Sequence, residues 1–237
     1  GDGKTFIAAA FYELPHLQAV YFGNGETSLT GGTFSACPNL EAITFGNNKT
    51  SIGDNTFSNC PKLATINFGK GETTIGTSAF ASCTGLRTVD LGDNVISVGV
   101  GAFENCSSLT SVTVPASVKS LSNNVFSNCS ALTNVVLEEG LTEVDNRAFY
   151  RCISLKNITI PSTVKEIRPD AFLECDSLTS IYFQDPTGWS MGDDENGYTP
   201  VSPSDLSDPA KAVELLQKDN PESPSVMDYG YKFIKEN

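Results

Sequence analysis

The chain is poor in the residues that most chemistry requires. It has one histidine, one tryptophan and two methionines among 237 residues, and 18% of its residues are charged. With His16 alone, a Ser-His-Asp or Cys-His centre has one place to form, because each needs an imidazole as base. His16 lies between Pro15 and Leu17, at the irregular start of the chain, and reads as a surface residue. No run of about 20 apolar residues occurs, so no membrane-spanning helix is expected. Lysine and arginine number 15 against 28 aspartates and glutamates, a net charge of −13, with no basic stripe. Nucleic acid and anionic membrane are therefore excluded as expected partners. There is no C-x-x-C and no phosphate-cradling glycine loop. Asp193-Asp194-Glu195-Asn196-Gly197 has a calcium-like composition. It lacks the alternating acidic spacing and distal glutamate of an EF-hand. No cofactor and no metal are expected.

What is present is a repeat of 23 residues. Phenylalanine recurs at Phe11, Phe34, Phe57, Phe80, Phe103, Phe126, Phe149 and Phe172. Cysteine recurs at Cys37, Cys60, Cys83, Cys106, Cys129, Cys152 and Cys175, each followed three positions later by leucine. After the leucine the pattern is L-x-x-I-x-F, as in Leu40-Ile43-Phe45 and Leu109-Val112-Val114. Its last two apolar positions alternate with polar ones, the period of a strand buried on one face. Gly46, Gly69, Gly92, Pro115 and Pro161 end these strands. A second apolar position, Ile52, Ile75, Val98, Leu121, Val144 or Ile167, precedes the next phenylalanine by five residues. A fixed period of this length predicts a solenoid whose coils bury one another's cores.

The odd number of cysteines, all at one repeat position, does not suit a disulfide framework. Stacked equivalents stand roughly 5 Å apart, whereas a disulfide needs Cβ atoms about 3.8 Å apart. The expectation is a file of buried free thiols acting as small apolar fillers.

The strand segment and the A-F-x-x-C-x-x-L spacing resemble the leucine-rich repeat, and within it the BspA-like (Treponema pallidum-type) repeats of bacterial surface proteins. Leu40-Glu41-Ala42-Ile43-Thr44-Phe45-Gly46-Asn47-Asn48 carries the strand consensus, and Val114-Pro115-Ala116-Ser117-Val118 carries the turn. The resemblance implies an α/β solenoid: a right-handed leucine-rich-repeat superhelix with a concave parallel sheet. It also implies a secreted or cell-surface bacterial protein that contacts host matrix proteins, other cells or glycans, and no enzyme. A start at Gly1-Asp2-Gly3 without methionine reads as a processed or engineered start, with any export signal already removed.

Two segments are expected: a repeat array over 1–183 and a capping segment over 184–237. Of the net charge, 17 acidic and 11 basic residues lie in the first, 11 acidic and 4 basic in the second. Residues 1–10 are read as the tail of a preceding unit, with Phe6 at the Ile52 position. The outer segments between phenylalanine and leucine are each read as one helical or 3₁₀ turn, being too short for a stable helix. Later units place Val95, Val118, Leu141 and Val164 where an earlier one has Lys49, which predicts more apolar burial in that turn. Polar Gln184–Pro203 reads as loop anchored by Trp189. Ser207-Asp208-Pro209 opens a helix, Asn220-Pro221 ends it, and Tyr229–Ile234 forms a last strand.

The candidate binding surface is the outward face of the L-x-x-I-x-F strands. Its residues include Tyr21, Thr44, Asn67, Asp90, Thr113, Asn157, Thr159 and Tyr182, with Arg87 and Lys156 alongside. Small hydroxyl and amide groups leave such a face open to a protein or glycan ligand, and tyrosine is a favoured contact residue. Threonine also suits strands regardless of function. Two other readings compete. A structural spacer displaying another domain would carry no concave patch. A carbohydrate-active enzyme would show convergent carboxylates, whereas the acidic residues fall mainly in turns: Asp54, Glu72, Asp93, Glu138 and Glu139.

Overall fold

The computed structural model describes residues 3–8, 11–193, 197–217 and 232–235. It is a parallel-strand solenoid in which successive coils stack with a spacing of 23 residues. Each coil lays one strand on each of two faces. With strands numbered in chain order, one face holds β2 (Ala19–Tyr21), β4 (Ala42–Thr44), β6 (Thr65–Asn67), β8 (Thr88–Asp90), β10 (Ser111–Val114), β12 (Asn134–Leu137), β14 (Asn157–Ile160) and β16 (Ser180–Phe183). The other face, for which the sequence predicted only an apolar anchor, also consists of strands. These are β1 (Thr5–Ile7), β3 (Thr27–Leu29), β5 (Thr50–Ile52), β7 (Thr73–Ile75), β9 (Val95–Val98), β11 (Ser120–Leu121), β13 (Glu143–Val144) and β15 (Glu166–Ile167). Neighbouring coils pair in parallel at a fixed offset, Ile43 with Val20 and Ile66, Leu29 with Ile52.

The core is a set of ladders. From Phe11 to Phe172 the repeat phenylalanines stack nearly parallel with centroids 5.4–5.7 Å apart. Phe34 and every later member of this ladder is buried. A second stack, Phe22, Phe45 and Phe68, meets the first edge-on at 6.0–6.2 Å. All seven cysteines are buried and free. Each thiol donates to the carbonyl of the phenylalanine one coil back, from 3.4 Å at Cys37 to 3.0 Å at Cys175. Cysteine thus fits this position for two reasons: its volume is small, and its weak S–H donor reaches the remaining lone pair of a carbonyl such as Phe80 O, which accepts Cys83 N of its own coil at 3.3 Å. Burial pushes the thiols of Cys60, Cys106 and Cys175 up to about 12, and those of Cys83, Cys129 and Cys152 well above the usual range.

The outer segments, read as one helical or 3₁₀ turn each, are runs of turns with 3₁₀-type bonds and no regular helix. Bonds such as Glu104 N to Gly101 O and Leu109 N to Cys106 O have helical 3₁₀ spacing. Two residues per coil, for example Gly101 and Asn105, take a left-handed φ of 58° and 60° and prevent continuation. Their amides instead donate across to the next coil, Asn105 N to Ser127 O at 2.8 Å and Asn128 N to Tyr150 O at 2.8 Å. Asparagine tolerates this conformation better than most residues, which explains Asn59, Asn105 and Asn128 before their cysteines.

The first coil is one residue shorter than the period. Thr5 pairs with Thr27 and Ile7 with Leu29, so Ile7, not Phe6, occupies the Ile52 position. Phe6 faces outward opposite Ser28 and is 69% exposed.

At the other end, the region read as loop is mostly strand. β17 (Trp189–Asp193) and β18 (Gly197–Pro200) form an antiparallel hairpin. β19 (Lys232–Lys235) lies between β15 and β17, antiparallel to both, so the array's second face runs on into the C-terminal region. The glycines that suggested loop serve the pairing: a Cβ on Gly192 would collide with the carbonyl oxygen of Gly197 across the hairpin. The expected last strand is present over its described part, and Tyr229–Tyr231 lie outside the described residues, as do Asn220 and Pro221. Two short helices follow the hairpin, α1 (Pro203–Ser207) and α2 (Pro209–Leu216). The second begins as the sequence indicated: Asp208 Oδ1 accepts from the amides of Ala210 and Lys211 at 3.0 and 3.3 Å, and Pro209 fills the first turn.

Candidate functional site

The L-x-x-I-x-F face was the predicted binding surface, and its side chains alternate as a half-buried strand requires. Ile43, Val89, Val112, Ile158 and Ile181 point into the core. Between them, Tyr21, Asn67, Asp90, Asn157, Thr159 and Tyr182 are exposed, while Thr44 and Thr113 are half-buried. Tyr21 and Tyr182 are the most open aromatics on this face, at 75% and 49%.

Strand register divides the face into three ladders. Tyr21, Thr44 and Asn67 form one file across β2, β4 and β6. Asp90, Thr113 and Val136 form a second across β8, β10 and β12. Thr159 and Tyr182 end the third, with Asn157 beside Ser180. Arg87 precedes β8 and is exposed. The predicted residues therefore share one side of the solenoid but not one cluster. Two are engaged in local structure: Asn67 Oδ1 accepts from Gly69 N at 2.8 Å and Asp90 Oδ1 from Gly92 N at 3.0 Å, each closing its own turn. One exposed apolar side chain, Val136 at 44%, was not singled out from the sequence. Its outward parity on β12 was readable there; its exposure was not.

A catalytic constellation is not assembled from the described residues. His16 is exposed. No group of three His, Cys, Asp or Glu side chains that could hold a metal is found among the described residues, and Asp194–Asn196 of the acidic stretch lie outside them. Glu104, whose carboxyl is pushed up by burial, stands on the outer turns. The principal ion pairs link adjacent coils. Arg168 meets Glu143 of the preceding coil at 2.7 Å, with Glu166 of its own coil at 3.0 Å, and Arg147 meets Asp170 of the next coil at 3.1 Å.

The C-terminal region covers the last coil. Ala212, Val213 and Leu216 of α2 are buried. Gln217 Nε2 donates to the carbonyls of Phe172 and Cys175 at 3.0 and 3.4 Å. Phe172 O is the acceptor that the cysteine of a further coil would have used, so the glutamine replaces a missing thiol. Trp189 packs edge-on against Phe183 at 5.2 Å, and its Nε1 donates to Asp185 O at 3.0 Å. Lys235 Nζ meets Asp185 at 2.6 Å, and this ammonium holds the Asp185 carboxyl far below the usual carboxylate range.

Comparison with known proteins agrees with this geometry. The family model described as BspA type leucine rich repeat region matches residues 4–133 and 97–189, in six copies. Among solved structures, a leucine-rich repeat protein from Bacteroides ovatus is 27% identical with a TM-score of 0.53, over 68% of this chain and 50% of that one. The chain thus spans about half the length of that protein. The leucine-rich repeat protein of T. pallidum is 24% identical with a TM-score of 0.42, over 65% and 79% of the two chains. A leucine rich cell surface protein from Faecalibacterium prausnitzii is 19% identical with a TM-score of 0.40, over 71% and 79%. No curated protein matches. No helix among the described residues is long and apolar enough to cross a membrane.

Proposed function

The chain belongs to the BspA-type leucine-rich repeat family, and from there we propose that it is a non-enzymatic binding module of a secreted or surface-located bacterial protein. It engages a protein ligand through the L-x-x-I-x-F face. The observation that carries this reading is the make-up of that face: Thr44, Thr113, Asn157 and Thr159 are small and uncharged, and the open rings of Tyr21 and Tyr182 stand at its two ends. Such a surface has little charge to desolvate and offers aromatic anchors, the pattern of an interface core. In this reading the segment after residue 183 is a cap that seals the core, as solenoid ends require.

The test is a screen of purified extracellular-matrix proteins against the immobilised chain, followed by Tyr21→Ala and Tyr182→Ala. The expected result is a saturable ligand whose affinity falls in both variants while thermal stability holds. A ligand indifferent to both substitutions, or to a Thr113→Arg change at the centre of the face, refutes the placement.

A further inference from the structure

A second surface lies on the outer turns, away from the face just described. An open groove of about 650 Å³ runs along the stack there across four coils. Its walls are the residues that flank successive cysteines. Asn105, Asn128 and Arg151 precede Cys106, Cys129 and Cys152; Thr84, Ser107, Ser130 and Ile153 follow Cys83, Cys106, Cys129 and Cys152. The buried thiols lie beneath.

We propose that this groove binds an extended, neutral oligosaccharide lying along the solenoid axis. Three observations support it. The first is unspent hydrogen-bonding capacity. The side chains of Thr84, Asn105 and Ser107 are exposed and have no partner among the described residues. An asparagine amide donates and accepts side by side, which suits a pair of neighbouring hydroxyls, and serine and threonine do either. At the far end Ile153, 44% exposed, offers an apolar surface for the C–H face of a sugar ring.

The second is the step. Coils here repeat every 5.4–5.7 Å, the spacing of Phe80, Phe103, Phe126 and Phe149 beneath them. A peptide strand advances about 3.3 Å per residue, so its same-side groups drift out of phase with the walls within a few coils. One pyranose ring with its glycosidic oxygen covers about one such step, so each sugar meets one coil.

The third is how the groove ends. In the earlier coils the residue after cysteine is proline, Pro38 and Pro61, which removes a hydroxyl and a backbone donor. In the last coil the flanking pair is Glu174 and Asp176. Arg151 is already committed to Glu174 at 2.6 Å. The hydroxyl- and amide-lined stretch is thus confined to the three coils of Cys83, Cys106 and Cys129, and beyond Arg151 and Ile153 it is closed by acid, which selects against sulfated or uronic chains.

The experiment is calorimetric titration of the full chain with cellohexaose and chitohexaose, with sulfated dextran as the anionic control. Saturable binding of at least one hexaose and none of the dextran is expected. Ser107→Pro with Ser130→Pro gives these coils the residues that the Cys37 and Cys60 coils already carry. It should weaken binding about tenfold or more. Should that variant fold poorly, Thr84→Val with Ser107→Ala removes two hydroxyls that bond no backbone group, whereas Ser130 Oγ donates to Ser107 O at 3.3 Å and is left in place, and a comparable loss is expected. Tyr21→Ala and Tyr182→Ala should leave hexaose binding intact, which separates this site from the protein-binding face. Failure of both hexaoses to bind, tighter binding of the dextran, or unchanged affinity in the wall variants overturns the proposal.

Discussion

The early and late coils share one core and differ in their turns. In the early coils the chain crosses between faces through Gly23, Gly46 and Gly69, and a buried threonine follows four residues later: Thr27, Thr50 or Thr73. Each hydroxyl is satisfied inside its own turn, Thr50 by Asn48 O at 3.2 Å and Thr73 by Gly71 O at 2.9 Å. In the late coils Pro115 and Pro161 replace the glycines, and Val118, Leu141 and Val164 fill the same space with no exposed surface. The junction is visible in the register: Thr73 pairs with Val95 but Thr74 with Ser97, a bulge that skips Ile96 and leaves it 40% exposed. The second face also divides there, between β9 and β11. One stacking geometry therefore accepts two turn chemistries, a polar one closed by local hydrogen bonds and an apolar one closed by packing, at the cost of one irregular residue.

The largest effect should come from what both halves share. The thiols hold their protons far more tightly folded than unfolded, so their contribution to stability is complete below pH 9 and is lost as pH rises through about 12. Each deeply buried thiol should cost about 1.4 kcal/mol per pH unit above its unfolded value. Denaturant melts between pH 8 and 11 measure this; a flat stability profile contradicts it. Next is the phenylalanine ladder. Phe57→Ala in the early half and Phe126→Ala in the late half should each destabilise by about 3–5 kcal/mol. Phe103→Ala, at the junction, should in addition separate the unfolding of the two halves, seen as two non-coincident transitions by two probes.

The turns should respond differently. Gly69 has a φ of 69°, and a Cβ there would meet the Gly46 carbonyl, so Gly69→Ala should cost at least ~1–2 kcal/mol. Pro115→Ala, at the matching late position, should stay below about 1 kcal/mol. Chemical denaturation of the pair would sharpen the contrast, and equal losses would erase it. Exchanging fillers tests the same contrast from inside the turn. Val118→Thr buries a hydroxyl in a turn shaped for an apolar filler and should lose about 1–3 kcal/mol. Thr50→Val exchanges a hydrogen bond for apolar contact and should fall within about 1 kcal/mol of wild type.

Much of the array could be read directly because each residue's environment is set by its equivalents one coil away. Phe103 and Cys106 face Phe80 and Cys83 whatever else the chain does, so the period alone placed the buried ladders, the parallel pairing and the outward parity of Thr113 or Tyr182. Where the period slips, reading by period fails. Phe6 was assigned inward because the first coil is one residue short, and Ile96 and Val95 exchange places at the bulge. The binding face was legible as a list of outward residues. That Asn67 and Asp90 bend back to their own glycine amides was not, since an Asx turn depends on the backbone beyond the strand. The groove on the outer turns was missed altogether. Its walls come from residues two apart in sequence, whose relation emerges only when four coils stack.

The sequence by itself determined the repeat, its core and the two faces it presents, because a strict 23-residue period makes every coil solve the same local packing problem. Tertiary structure decided how the row ends. Trp189–Asp193 and Gly197–Pro200 carry no periodic signal; they pair as strands because β15 leaves an open edge and β19, distant in sequence, arrives to bridge it. Gln217 supplies the donor that no further cysteine provides. Such choices follow from satisfying the exposed hydrogen-bonding groups of a particular last coil, a requirement that exists only once the coils are stacked.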